Sequence, residues 1–316
     1  MPSQASSNPY KSIWVRQAEN QLVAGECFYL TGGTLDMDGV AASAHIQGLQ
    51  GAAYAQAGVE LIVQASQLSH LVERLRPLRV EGIDFRIEFH RLDKKLEMGT
   101  RQAIIEVANC LAGYPNLDKP QHRFALVAQE SGWWFGRLVG EPNRRYVKHD
   151  DKPHRTSSSL PSRLARAMVN LASAKAQSIL DPCCGTGSIL LEASALGLSS
   201  YGLDWNEKMV AMSRQNIRHF GYTAPVELGD ARQWEQQGEA LVTDLPYGKN
   251  LEVSPQIIQG ILARGAQLAP VGVYAAGSDI SAWLAAAGYV DIELFRVPKS
   301  TGFTRYIHRA ESACFH

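Results

Sequence analysis

The residues best suited to chemistry stand at the ends of four apolar runs. Asp181-Pro182-Cys183-Cys184-Gly185-Thr186-Gly187-Ser188 separates the run SIL from the helix-like ILLEASAL. Glycines at such a strand-to-helix turn let backbone amides approach a ligand closely, and nucleotides bind at the C-terminal ends of strands in open parallel sheets. Position 190 is Leu, so the third glycine of a dinucleotide turn is missing. A two-glycine turn with Asp181 at the strand end suits a cationic amino acid moiety better than a pyrophosphate, with Cys183 and Thr186 in the same loop. Asp204 closes YGLD, at the spacing where an acid can take both hydroxyls of a ribose. Asp230 closes VELGD, and its carboxylate can accept an adenine amino group while the amide of Ala231 faces the ring.

Asp244-Leu245-Pro246-Tyr247 closes ALVTD. Methylating a nitrogen conjugated to a purine ring needs acceptors for its N–H protons and a flat surface for the base. Asp244 and the carbonyl of Leu245 can accept those protons. Tyr247 can stack on an extruded base, a contact worth about 1–3 kcal/mol. Taken singly, each of these residues is also an ordinary cap, turn or strand-end residue. Their recurrence at successive strand ends is what singles them out.

The elements that must position them follow from periodicity. After residue 158 a helix near 159–173 (LPSRLARAMVNLA) precedes a regular alternation of apolar strands with helices from about 187, near 206–219 and near 255–267. Such alternation implies a parallel sheet covered on both faces. The chain closes on YVDIELFRVP and GFTRYIHRA, separated by a short turn, which predicts an antiparallel hairpin. From about 21 to 135 the pattern predicts an α+β region: strands at CFYLTGG, VELIVQA, FRIEFHRL, RFALVAQ and WWFGRLV, and helices near 38–56, 67–76 and 100–112. Residues 140–158 are polar and basic, with almost nothing apolar to bury, and read as a linker.

The motifs D-P-x-x-G-T-G at Asp181 and D-L-P-Y at Asp244 resemble those of class I S-adenosylmethionine (SAM) dependent methyltransferases that act on amino nitrogens. With PNLDKPQHRFALVAQ, WWFGRL and SSSLPSRLARAMVNLA, the stretch from about 120 to 310 is similar to tRNA guanosine-10 N2-methyltransferases with a THUMP RNA-binding domain ahead of the catalytic domain. The resemblance implies an α/β fold: a Rossmann-like seven-stranded SAM methyltransferase sheet with a C-terminal antiparallel hairpin, preceded by an α+β THUMP-like domain. It divides the chain into 1–140 (RNA-binding), 141–158 (linker) and 159–316 (methyltransferase). The implied cofactor is SAM: its methionine part at Asp181, Gly185 and Gly187, its carboxylate at Ser158 and Ser159, its ribose at Asp204 and its adenine at Asp230 and Ala231. The implied substrate is RNA, most simply tRNA, with the base at Asp244–Tyr247. Ribosomal RNA guanine and DNA adenine would use the same loop, and a non-catalytic RNA-binding module is the alternative of another class. Leu245 departs from the family's first proline and is expected to loosen the loop.

Composition bounds these readings. Lys plus Arg (31) equal Asp plus Glu (31), so any grip on a polyanion must be local. Candidate phosphate contacts are Arg144, Arg145, Lys148, Lys152 and Arg155, and Arg91, Lys94, Lys95 and Arg101, although Asp93, Asp150 and Asp151 interrupt both clusters. The pair Trp133-Trp134 could stack on bases, but tryptophans on a strand more often pack a core. Nine histidines and five cysteines show no zinc spacing, so no metal is expected. Unpaired cysteines and the want of an apolar span predict a cytoplasmic protein away from membranes.

Overall fold

The computed structural model describes residues 10–15, 20–93, 95, 99–173, 176–246, 253–300 and 303–315. The chain divides into two compact units.

The first unit comprises Thr31–Gln50 and Ala55–Pro142 together with the first strand. Its sheet is built from β1 (Tyr10–Trp14), β2 (Val40–Ser43), β3 (Ala55–Ala65), β4 (Phe85–Arg91), β5 (His122–Gln129) and β6 (Gly132–Gly140), in the order β2-β1-β3-β6-β5-β4. Only β4 and β5 run parallel. Helices α2 (Leu68–Leu75) and α3 (Thr100–Ala108) belong to this unit, where Leu68, Leu71, Leu75, Ala103 and Val107 join the apolar side chains of the central strands. Trp133 and Trp134 are both buried, and the indole N–H of Trp134 donates to Gln129 Oε1 at 2.7 Å. Buried indoles with such a partner are core, not a platform for bases.

Two expectations for this stretch are corrected. CFYLTGG, read as a strand, ends helix α1 (Asn20–Thr31): Leu22, Val23, Glu26, Cys27 and Leu30 are buried at helical spacing while Phe28 is exposed. The helix expected near 38–56 is instead β2 and a 3-10 turn at Gln47–Gly51, because Val40 to Ser43 pair with β1.

The second unit comprises Asn143–His316 with Gly51–Tyr54 and most of α1. The expected division at 140/141 is therefore crossed by two earlier segments. Fully buried Glu26 on α1 explains the attachment: it accepts hydrogen bonds from the amides of Ala53 (2.7 Å) and Tyr54 (3.0 Å) and from Asn170 Nδ2 (2.6 Å). The adjacent Gly25 has no side chain, and a Cβ there would stand 2.6 Å from the ring of Phe295.

The expected linker is also part of this unit. Arg144–Asp151 form a 3-10 helix with Tyr146 and His149 buried. Tyr146 bonds the carbonyl of Ala53, and His149 Nδ1 lies 2.7 Å from Glu192, which also takes Arg166 at 2.7 Å. Polar side chains here satisfy one another in the interior, which a count of apolar residues does not register.

The sheet of this unit uses β7 (Ser178–Asp181), β8 (Ser199–Asp204), β9 (Val226–Leu228), β10 (Ala240–Asp244), β11 (Val271–Ala276), β12 (Tyr289–Ser300) and β13 (Phe303–Ser312). Their order is β12-β13-β11-β10-β7-β8-β9, with β9 through β11 mutually parallel and β13 antiparallel to both its neighbours. Helices α4 (Ser162–Ser173), α5 (Ser188–Ala195), α6 (Glu207–His219), α7 (Pro255–Leu268) and α8 (Ser281–Ala286) cover it. The chain progresses outward from β7 in one direction and from β10 in the other. The crevice between those two strands is thus the point where an open α/β sheet presents a ligand site.

Candidate active site

A cavity of about 520 Å³ opens at the C-terminal ends of β7, β8 and β10, entirely within the second unit. Its lining includes Ser158, Ser159, Asp181, Cys183, Gly185, Thr186, Asp204, Asp230, Ala231, Asp244, Leu245 and Pro246. These positions come from five separate segments of sequence, and folding brings them to one space. Tyr247 and Lys94 lie outside the described residues.

Asp181 ends β7 almost completely buried, with one carboxylate oxygen accepting from Thr243 Oγ1 (2.7 Å) and the amide of Cys183 (3.3 Å). Burial outweighs these bonds and pushes its carboxyl up to about 8. The turn that follows is held by the amide of Cys184 on the carbonyl of Leu203 (3.0 Å) and the amide of Gly187 on that of Cys184 (2.8 Å). The thiols of Cys183 and Cys184 are pushed well above their usual range by burial, so they fill space as neutral groups.

The two turn glycines differ in purpose. Both have positive φ, +51° at Gly185 and +83° at Gly187. A Cβ on Gly185 would meet no protein atom within 4 Å, whereas one on Gly187 would lie 2.5 Å from Ser213 Oγ. Gly187 does not line the cavity; it lets α5 begin against α6.

Asp204 links two loops: Oδ2 accepts from the amide of Gly185 (2.8 Å) and Oδ1 from that of Asn206 (2.9 Å). Burial raises its carboxyl from the usual value. Each oxygen keeps a lone pair for a hydroxyl donor. Asp230 is instead engaged by Arg232 in an ion pair and through its backbone amide, which holds its carboxyl below the usual range. At the other edge, Ser159 Oγ lies 3.0 Å from Thr186 Oγ1 and 3.1 Å from Thr156 Oγ1, which is 3.0 Å from Ser158 Oγ. These hydroxyls stand ahead of α4 and beside the start of α5, where oriented donors suit an anion.

Leu245, expected to loosen the loop, is itself held to the sheet. Its amide donates to the carbonyl of Ala275 at 3.0 Å, extending the β10–β11 ladder by one bond that proline could not make, and its side chain is buried with Ile258 and Ile261.

Lys152, expected as a phosphate contact, is buried and donates to Ser188 Oγ at 3.0 Å, while Arg144, Arg145, Lys148 and Arg155 are exposed. Among the described residues no cluster of His, Cys, Asp or Glu is placed to hold a metal, and no helix is long and apolar enough to cross a membrane.

Trp205, Phe303 and Arg305 also line the cavity and escaped the sequence reading. Trp205 had a local signal, since it directly follows Asp204. Phe303 and Arg305 had none, because only the return of the hairpin into the sheet brings them to the crevice.

Residues 150–261 match the family described as UPF0020, RMKL-like, methyltransferase domain. The chain is 42% identical over 141 residues to the tRNA (guanine(10)-N2)-dimethyltransferase of Pyrococcus abyssi, covering 42% of this chain and 43% of that protein. It is 25% identical over 225 residues to the human tRNA (guanine(10)-N(2))-methyltransferase TRMT11, covering 58% and 49%. The matched stretches thus span less than half of these curated relatives. Over 96% of this chain and 99% of the other, the fold is similar to TrmN from Thermus thermophilus, with a TM-score of 0.50 at 19% identity. The stretch from residue 150 to residue 261 is thus similar to methyltransferase domains of the RMKL-like family, and part of the chain is similar in sequence to tRNA guanine-N2 methyltransferases.

Proposed function

We propose that this protein transfers a methyl group from SAM to the exocyclic N2 amine of a guanine in tRNA, at a position of the guanosine-10 kind. One observation carries the reading: a single cavity collects Asp181, Asp204 and Asp244 from the ends of three parallel strands, with the open face of Gly185 between them. The donor set fits SAM, because buried acids suit its ribose hydroxyls and ammonium, and the side chain that Gly185 lacks would occupy the space the ligand needs. SAM supplies an electrophilic methyl group on a sulfonium.

Asp204 would hold the ribose and the amide of Ala231 would face the adenine, with Asp230 free to do so only by giving up Arg232. Ser158 and Ser159 would orient the carboxylate, and Asp181, Cys183, Gly185 and Thr186 would shape the methionine end. Gly187 would act through the backbone of the turn. Asp244 and the carbonyl of Leu245 would accept the N2 protons, directing the amine lone pair toward the methyl group, and Asp244 would take the proton released on transfer. Pro246 and Tyr247 would border the base.

The sheet order supports a Rossmann-like SAM methyltransferase architecture closed by a hairpin, and the first unit is proposed as a THUMP-like RNA-binding region. Exposed Arg144, Arg145, Lys148 and Arg155 would meet RNA phosphates. With tRNA as its substrate, the protein would act in the cytoplasm.

The test incubates the protein and its Asp244→Ala variant with labelled SAM and unmodified tRNA, then identifies labelled nucleosides by chromatography. The expected result is N2-methylguanosine, reduced by about 10²-fold or more in the variant. Label confined to another nucleoside, or none with SAM binding demonstrated, would overturn the proposal.

A further inference from the structure

Arg305 lines the cavity yet is only 3% exposed. A guanidinium is permanently charged and offers donors alone, in a rigid planar fork, so on a cavity wall it can recognise only an acceptor group.

Strand register fixes its place. Asp244 pairs with Ala275 on one side of β11, and Ala275 pairs with Ile307 on the other. Residues side by side in a sheet share a face, and so do residues two apart on one strand. Asp244, Ile307 and Arg305 therefore share a face, as does Phe303, which also lines the cavity. Arg305 stands beyond the end of β11, two strands across from Asp244 and two residues along from Ile307, so the two backbones lie about 12 Å apart at the usual strand spacing and rise. A purine held at one edge by Asp244 and at the other by a long side chain fits that gap.

The two walls have opposite demands: Asp244 takes N–H donors and Arg305 takes acceptors. Guanine carries donors at N1 and N2 next to the O6 carbonyl, with N7 behind it, whereas adenine has an amino group where guanine has O6. We propose that Arg305 donates to O6 and N7 of the target guanine and is the residue that excludes adenine-type bases. This rests on the guanine reading of the same cavity. Arginine bidentate to O6 and N7 is the commonest specific contact to guanine, and a site built to satisfy one hydrogen-bonding pattern strongly rejects the base that lacks it.

The test uses the full chain and tRNA carrying, at the methylated position, either guanosine or 2,6-diaminopurine riboside, which keeps the 2-amine but has an amino group in place of O6. For the wild type, kcat/KM is expected to fall by about 10²-fold or more with diaminopurine. In Arg305→Met, kcat/KM on guanosine should fall comparably and the preference between the two bases should shrink to about tenfold or less. SAM affinity should not change. Arg305→Lys, which keeps the charge without the fork, should recover only part of the preference.

Equal rates for the two bases in the wild type would overturn the proposal without reference to any variant. Equal loss on both bases in Arg305→Met would also overturn it and assign the arginine to a phosphate. Loss of SAM binding in both variants would make its role structural and overturn it as well. Absence of N2-methylated product from the wild type on guanosine would sink the guanine reading itself, an outcome distinct from these three.

Discussion

Thr243 donates its hydroxyl hydrogen to Asp181 at 2.7 Å, from the strand that carries Asp244 to the strand that opens the glycine turn. Burial nevertheless pushes the Asp181 carboxyl up to about 8, so it carries a proton at neutral pH in the free protein. A cationic ligand beside it favours the ionised form. SAM binding at pH 7–7.5 is therefore expected to release a proton, seen by calorimetry as a binding heat that depends on the buffer's ionisation enthalpy. Affinity should rise with pH up to about 8 and level off above it. Binding heats independent of buffer would show that Asp181 does not face the cation.

The same shift governs stability. Asp181 has a folded-state pKa raised above its unfolded value, so its contribution is fully present below the unfolded pKa and is lost as pH rises through about 8. Asp181→Asn should therefore raise Tm at pH 8.5 relative to wild type by more than at pH 5, with differences of about a few degrees. Differential scanning calorimetry at the two pH values checks the sign.

The turn glycines should separate folding from binding. Gly187→Ala places a methyl 2.5 Å from Ser213 Oγ at a φ of +83°, and is expected to lower stability by about 2 kcal/mol or more in urea unfolding. Gly185→Ala meets no protein atom, so beyond about 1 kcal/mol for a side chain at a φ of +51° its cost should fall on SAM affinity, about tenfold or more by titration. The reverse pattern would place the ligand elsewhere.

Restoring proline at position 245 should not improve the protein. Leu245→Pro removes the amide bond to Ala275, for a loss of about 1 kcal/mol from the hydrogen bond alone, and empties part of the pocket shared with Ile258 and Ile261. Thermal unfolding should shift down by several degrees, while SAM affinity stays within about twofold. A Tm equal to or above that of wild type would show that the ladder bond is not used.

Beneath the site, Glu192 is held by both His149 and Arg166, and all three are buried. Removing one partner leaves a charge uncompensated in the interior, so Arg166→Met is expected to cost about 3–5 kcal/mol of unfolding free energy. Arg166→Met with Glu192→Gln should recover much of that loss. A double variant no better than the single would mean that packing, not charge, dominates.

Much of the second unit was legible because its information is local. Apolar runs ending in Asp181, Asp204 and Asp244 set strands and strand ends, and Asn206 caps the helix after Asp204 through the amide of Lys208. The N-terminal part was less so. Helix α1 carries buried Glu26, whose partners Ala53, Tyr54 and Asn170 are remote in sequence, and CFYLT taken alone favours a strand. The basic stretch 140–158 misled for the same reason, since His149 and Lys152 are buried against Glu192 and Ser188, far along the chain.

The sequence by itself determined the strand-end acids, the two-glycine turn and the parallel alternation that gathers them, since each follows from residue type and short-range period. Only the tertiary structure decided that Leu245 is fastened to Ala275 and that Arg305 reaches the cavity. Strand order and register create those contacts, and no local pattern encodes which distant strand will lie alongside.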